Sequence, residues 1–144
     1  MSRILGLDYG SKRLGVAISD PTRMLATPLR TEPVASAKDA VDRVCALCEE
    51  TGAREIVIGL PLNMDGSAGD MAAAAEAFAE RVERRTRLPV HRWDERLSTR
   101  LVDRMLIEAD VSRGKRRKVR DKLAAQVILQ SYLDAQETAG ASPP

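Results

Sequence analysis

Alternating hydrophobic and polar positions predict three short strands at the beginning of the chain. Residues 3–8 and 14–20 are β-type runs joined by a hairpin-length connection with Gly10 near its start. A third strand is expected over 24–30, before Pro33. The three strands are close enough in sequence to form an antiparallel, hairpin-linked ribbon.

The rest of the pattern alternates helices with strands. Apolar residues recur at helical spacing over 37–51, 70–87, 98–109 and 119–136. Strand-like runs lie at 55–60 and 89–94, the first continuously apolar, as is typical of a strand buried on both faces. The element order β-β-β-α-β-α-β-α predicts an α/β fold, a five-stranded mixed sheet with helices on both faces.

Length and composition fit one folded, soluble domain. The chain has 144 residues, of which 44% are hydrophobic and 31% charged, so neither a disordered nor a fibrous protein is expected. No apolar run approaches the roughly 18 residues that span a bilayer, and no signal peptide precedes the first strand, so a cytoplasmic protein without a membrane partner is predicted. We expect a domain over residues 1–137 and a flexible tail over 138–144, in a monomer or a homodimer.

Positive charge is concentrated in one segment, residues 112–122, which carries seven bases and one acid. Such a segment attracts polyanions, although a solvated charged loop has the same composition. The candidate nucleic-acid-binding side chains in it are Arg113, Lys115, Arg116, Arg117, Lys118 and Arg120. Only four residues are aromatic, so a base-stacking platform is not expected, and the nucleic-acid backbone would be the main contact.

The two cysteines, Cys45 and Cys48, have a spacing found in redox and zinc sites. They lie in the middle of a predicted helix, and the single histidine, His91, does not complete a zinc ligand set. We therefore expect both cysteines to be packing residues.

Three acidic residues stand where strands end or a helix begins. Asp8 ends the first strand, Glu95 ends the last, and Asp121 lies in the first turn of the last predicted helix. If folding brings them together, they form an oxygen-only cluster that suits Mg²⁺ or Mn²⁺. Two such ions, about 3.5 to 4 Å apart, activate water and stabilise the leaving oxygen in phosphodiester hydrolysis. Alternatively, Asp8 is a turn residue and Asp121 complements a helix dipole.

Asp94 competes with Glu95 for the role of ligand. Strand alternation places Asp94 with Arg92 on one face and Glu95 with His91 and Trp93 on the other, so only one of the two acids should face the site. Spacing does not decide between them. His91 and Trp93 are expected to be structural.

Further candidates for substrate contacts lie in predicted loops. Lys12 and Arg13, at the tip of the first hairpin, and Arg96, beside Glu95, are candidate phosphate clamps, although Arg96 has an ion pair as its alternative role. Asn63 follows the carboxyl end of a central strand, where open α/β sheets bind ligands. It would hold a phosphate or sugar, unless Pro61–Gly66 is only an Asx-type turn.

Four ordered segments resemble the signature motifs of the YqgF/RuvX family. They are Leu7–Ala17, Ile58–Gly66, Asp94–Thr99, and Asp121–Gln126 with Leu129–Leu133. The resemblance spans nearly the whole chain. It implies an RNase H-like fold, and the family is described both as a Holliday junction resolvase and as a nuclease that matures the 5′ end of precursor small-subunit ribosomal RNA.

The resemblance implies that Asp8, Glu95 and Asp121 are the catalytic, metal-binding acids, and it favours Glu95 over Asp94. We expect a nuclease that uses Mg²⁺ or Mn²⁺ on structured RNA, most simply precursor 16S ribosomal RNA, with pre-ribosomal particles as partners. Resolution of branched DNA is the alternative, and a nonenzymatic nucleic-acid-binding or ribosome-assembly module is a third possibility. The segment from Asp8 to Gly15 also resembles the phosphate-binding hairpin of kinase and actin-like proteins, but the chain is too short for their second lobe.

Overall fold

The computed structural model describes residues 2–96, 109 and 112–140, with the backbone alone for 113, 116–122 and 138–140. The strands are β1 (Ile4–Tyr9), β2 (Arg13–Ser19), β3 (Ala26–Pro33), β4 (Glu55–Leu60) and β5 (Val90–Asp94). The helices of the described residues are α1 (Ala37–Thr51), α2 (Asp70–Thr86) and α3 (Arg113–Gly140).

The strands form one mixed sheet in the order β3-β2-β1-β4-β5. The pairs β1–β2 and β2–β3 are antiparallel, whereas β1–β4 and β4–β5 are parallel. This confirms the predicted five-stranded mixed sheet. Since β1, β4 and β5 run in the same direction, their carboxyl ends lie together at one edge of the sheet.

The two faces of the sheet carry separate cores. Helices α1 and α2 pack on one face, where Leu5, Leu7 and Phe78 are fully buried. Helix α3 packs on the other face through Ile128 and Leu129. Helices therefore cover both faces, as the element order predicts.

Local signals explain where α1 begins and ends. The Ser36 hydroxyl accepts a hydrogen bond from the backbone N–H of Asp39 at 3.1 Å, an N-cap that contributes about 1 kcal/mol. Gly52 ends the helix in the left-handed conformation, with φ of 75°.

The predicted starts of two elements are wrong, and β3 also ends at Pro33 and not at 30. Helix α3 begins at Arg113 and not near 119, because Lys and Arg have good helix propensity and a basic run need not be a loop. Strand β3 begins at Ala26 and not at 24, because the Asp20 carboxylate accepts from the backbone N–H groups of Met24 and Leu25, each at 2.8 Å, and holds both in a turn.

Two further predictions concern the segment 98–109 and the end of α3. The predicted helix over 98–109 lies outside the described residues except for residue 109. Helix α3 continues to Gly140, three residues past the predicted domain boundary. None of the described helices combines the length and the hydropathy needed to cross a bilayer.

Candidate active site

Asp8 and Glu95 meet at the carboxyl edge of the sheet. Asp8 is the fifth residue of β1, and its neighbour Leu7 faces the α1 and α2 core, so Asp8 projects toward α3. Tyr9 stacks on Phe78 with ring centroids 4.2 Å apart, which fixes the end of β1 against α2. Glu95 directly follows β5, and its carboxyl group is hydrogen-bonded to that of Asp8.

The contact between the two carboxyl groups has an electrostatic cost. Burial, the negative charge of Asp8, the hydrogen bond to Asp8 and the charge of Asp94 together raise the pKa of Glu95 to about 8. Two carboxyl groups in contact cannot both ionise readily without a compensating cation. The pair is thus an oxygen donor set that a divalent cation would stabilise.

Gly59 makes room for this contact, and sequence reasoning missed it. A Cβ atom at Gly59 would lie 2.6 Å from Glu95 Oε1 and 2.6 Å from Ile128 Cδ1. Only glycine therefore allows the glutamate and α3 to approach β4 together. An isolated glycine inside the apolar run 55–60 was the available signal, because such glycines mark close approach of another group.

Helix α3 runs toward the acidic pair. Leu129 packs on Gly6, where a Cβ atom would lie 2.6 Å from Leu129 Cβ. One turn earlier, Ala125 lies beside the glycine paired with Asp8. Asp121 lies one further turn along the same helix in the same direction. Its side chain is outside the description, so its place in the metal site stays a prediction.

Asp94 does not share the environment of Glu95. Its carboxylate accepts from Arg96 Nε at 3.0 Å and from Arg96 Nη2 at 2.6 Å. Arg96 Nη1 also donates to the backbone carbonyl of Met64 at 3.1 Å. Arg96 therefore makes the ion pair that was its alternative role, and it joins the end of β5 to the loop after β4.

The loop after β4 contains the Asx-type turn that was the alternative to ligand binding by Asn63. Ser67 donates to Asp65 Oδ1 through its backbone N–H at 2.9 Å and through its hydroxyl at 2.6 Å, and these bonds hold the pKa of Asp65 below its usual value. Asn63 Nδ2 donates to the Ser67 hydroxyl at 3.1 Å. Gly66 supplies the left-handed residue, with φ of 88°. Phosphate binding by Asn63 stays a prediction.

The other basic candidates whose side chains are described are all exposed. Lys12 and Arg13 are exposed at the turn between β1 and β2, close in sequence to Asp8. Lys115 is exposed in the first turn of α3. The side chains of Arg113, Arg116, Arg117, Lys118 and Arg120 lie outside the description.

The residues expected to be structural do pack. Cys45 and Cys48 are free thiols packed against the α1 and α2 core, and burial raises the pKa of Cys48 to about 11, so its reactive thiolate is scarce at neutral pH. His91 stacks on Tyr132 with ring centroids 5.1 Å apart. Trp93 Nε1 donates to the Ser131 hydroxyl at 3.0 Å.

Comparison with known proteins identifies the family. The model of the RuvX family, described as "Holliday junction resolvase", matches residues 2–135. The chain belongs to the RuvX family. Proteins named "Putative pre-16S rRNA nuclease" are similar to it: the one from Geobacillus kaustophilus is 51% identical over 136 residues, covering 93% of this chain and 99% of that protein. The one from Rhodopseudomonas palustris is 52% identical over 131 residues, covering 91% and 82%.

A solved structure shares the fold. The RuvC protein of Thermus thermophilus, solved in complex with a Holliday junction substrate, aligns with a TM-score of 0.54 over 95% of this chain and 96% of its own. The two sequences are 16% identical, so the likeness concerns the fold alone. The predicted RNase H-like fold is confirmed.

Proposed function

We propose that this RuvX family member is a metal-dependent nuclease that hydrolyses phosphodiester bonds in the 5′-end maturation of precursor 16S ribosomal RNA. The contact between the Asp8 and Glu95 carboxyl groups at the carboxyl edge of the sheet carries the proposal. The names of the relatives from Geobacillus and Rhodopseudomonas support the choice of substrate.

The acidic pair fits a hard divalent cation. Both groups offer oxygen donors, and their repulsion is relieved when a cation binds between them. We assign Mg²⁺ or Mn²⁺ to Asp8 and Glu95, with Asp121 from α3 as the third ligand. When bound, such ions activate a water molecule and stabilise the leaving oxygen of the phosphodiester.

The chain's own residues position the substrate. Lys12 and Arg13 would contact phosphates beside the acids, because the turn that carries them follows β1 directly. Asn63 would contact the substrate from the neighbouring loop, and Arg96 keeps that loop beside Glu95. The basic first turns of α3 would hold the RNA backbone further away. Such contacts position a substrate without reading its sequence.

Resolution of Holliday junctions is the second candidate function, and the description of the matched family favours it. This activity requires a two-fold dimer that presents two sites to one junction. Maturation of ribosomal RNA has no such requirement and would place the protein in the cytoplasm, with pre-ribosomal particles as partners.

The test is cleavage of a precursor 16S ribosomal RNA fragment and of a four-way DNA junction, each with Mg²⁺, Mn²⁺ or EDTA. The wild-type protein is compared with Asp8→Asn and with a matched control, Asp70→Asn, which changes an exposed aspartate at the start of α2. A contaminating nuclease would act equally in all three preparations.

We expect metal-dependent cleavage of the RNA by the wild type and by Asp70→Asn, and at least a hundredfold slower cleavage by Asp8→Asn. Paired symmetric nicks in the junction, without RNA cleavage, would replace the first function by the second. Binding of either substrate without metal-dependent cleavage would reject both nuclease functions and leave a nonenzymatic nucleic-acid-binding module.

A further inference from the structure

A groove of about 280 Å³ lies between the antiparallel strands and α3, and one of its lining residues, Gly15, pairs with Asp8 of the acidic pair. The sheet contributes Gly15, Pro28 and Thr31 to its lining, and the helix contributes Leu123 and Gln126. Its volume is near the lower limit for small-ligand pockets, so it suits a single small group.

Strand register connects this groove to the site. Asp8 on β1 pairs with Gly15 on β2, and Gly15 pairs with Thr31 on β3. Adjacent strands are about 4.8 Å apart, so Thr31 lies roughly 10 Å from Asp8 across the sheet. Gly15 has no side chain, and a Cβ atom there would lie 3.4 Å from Asp8 Cβ and 3.6 Å from Ala125 Cβ. The groove therefore reaches to within one strand of the place where a phosphodiester would be cleaved.

The groove presents an apolar surface with two polar groups. Gln126 Nε2 donates to the backbone carbonyl of Ala26 at 3.1 Å, which fixes the orientation of the amide because a carbonyl only accepts. Within the described part of the chain, no donor is bonded to Gln126 Oε1, and no partner is bonded to the Thr31 hydroxyl. Both groups are available to a ligand.

The groove lacks a free cation for a phosphate among its described residues. Arg30 lines it, but its guanidinium is 3.1 Å from Glu50 of α1 and 3.5 Å from Glu32. An occupant should therefore have apolar faces and a hydrogen-bonding edge. A nucleobase has both, and enzymes that hold unstacked bases place them between apolar side chains and polar groups that bond the base edge.

We propose that this groove binds an unstacked nucleobase of the substrate strand, from a nucleotide close to the scissile phosphate. The proposal rests on the proposed nuclease function, because the groove lies one strand from Asp8, to which that function is assigned. Pro28 and Leu123 would pack against the faces of the base, while Thr31 and Gln126 would bond its edge.

The test uses short single-stranded RNAs with 2-aminopurine at successive positions, because the fluorescence of this base rises when it leaves the stack. Every protein carries Asp8→Asn to prevent cleavage. Thr31→Phe fills the groove, and Thr27→Phe makes the same change at an exposed residue of the same strand that does not line it. Thr31→Val removes only the hydroxyl and is a second variant if the larger side chain prevents folding.

We expect 2-aminopurine fluorescence to rise at one position of the bound RNA. The rise should be unchanged in Thr27→Phe and absent in Thr31→Phe. The affinity of Thr31→Phe for RNA should fall about tenfold, as expected for a lost base contact. Thr31→Val should weaken binding a few-fold. An equal rise in Thr31→Phe, or no dependence on position, would overturn the proposal. A fluorescence rise that depends on the groove, together with wild-type protein that does not cleave RNA, would reject the nuclease function and keep the base site. Cleavage by the wild type without any fluorescence rise would reject the base site and keep the nuclease function.

Discussion

The two ends of the parallel strands hold glutamates in opposite electrostatic environments. At the amino end of β4, Glu55 lies 2.8 Å from Arg23 Nη1 and 3.2 Å from His91 Nε2, so its charge is compensated. At the carboxyl end of β5, Glu95 meets the carboxyl group of Asp8. The first arrangement stabilises the fold, while the second costs stability unless a cation binds. Local conflict of this kind is typical of functional sites, since stability alone would not select it.

The largest difference in cleavage should appear when glutamate is changed to glutamine at each end of the parallel strands. Glu95→Gln removes a proposed metal ligand, so we expect cleavage to fall at least about a hundredfold, or roughly 2.7 kcal/mol in the barrier. Glu55→Gln should leave cleavage unchanged. In the metal-free proteins at pH 8, Glu95→Gln should raise the free energy of unfolding by at least about 1.4 kcal/mol, the equivalent of one pKa unit, because it removes the burial and repulsion that raise the pKa of Glu95 from 4.5 to about 8. Urea unfolding and cleavage rates measure the two effects.

Glu55→Gln should lower the free energy of unfolding by about 1 kcal/mol, because Arg23 loses its ion-pair partner at a partly exposed site. Equal stability changes of the same sign at both ends would contradict the comparison. The resemblance of Asp94–Thr99 to a family motif singles out Glu95 in the sequence, but only the structure separates the two glutamates by environment.

Much of the fold was predictable because its signals are local. The apolar run 55–60 and the capped helix α1 carry enough information within a few residues to be recognised. The start of α3 was not, because the charges of residues 112–122 fit both a loop and a helix. The packing of α3 on Gly6 that fixes its position involves residues more than a hundred positions apart.

The candidate site was predictable in its members but not in its geometry. The resemblance named Asp8 and Glu95, whereas their contact depends on the parallel pairing of β1, β4 and β5. The ion pair between Asp94 and Arg96 was one of two open alternatives, and composition alone did not separate them. The need for Gly59 depends on a contact between three elements, which a linear pattern does not contain.

The next largest effect should come from a substitution at Gly59. Gly59→Ala would place a methyl group 2.6 Å from Glu95 Oε1 and Ile128 Cδ1, so we expect a loss of about 2 kcal/mol in the free energy of unfolding, together with slower cleavage. Gly114→Ala is the matched control, because a Cβ there meets no described atom within 4 Å beyond its chain neighbours and its own helix backbone, and alanine is the better helix former. Thermal or urea unfolding compares them. Equal stability of the two variants would show that the approach of Glu95 to β4 is not tight.

A divalent cation should offset the loss of stability that the contact between Asp8 and Glu95 causes at the carboxyl edge of the sheet. Mg²⁺ at ten times its dissociation constant should stabilise the wild type by about 1.4 kcal/mol, since it binds the folded state alone. Glu55→Gln should gain the same amount, and Glu95→Gln should gain much less. Melting curves with Mg²⁺ and with EDTA measure the difference. An equal gain in Glu95→Gln would place the cation elsewhere.

The smallest effect should come from Arg96, which touches the site only through its neighbours. Arg96→Lys keeps the positive charge but loses the planar, multidentate contact with Asp94 and the bond to the Met64 carbonyl. Glu95 directly precedes Arg96, and Arg96 also bonds the loop after β4. We therefore expect cleavage to fall a few-fold, with a higher Mg²⁺ concentration needed for the half-maximal rate. Arg23→Lys makes the same change at the compensated end and should leave both quantities unchanged. A shift in the Mg²⁺ dependence in Arg96→Lys alone would mean that the ion pair positions Glu95, because a merely structural role would change the stability of the two variants and leave that dependence where it was.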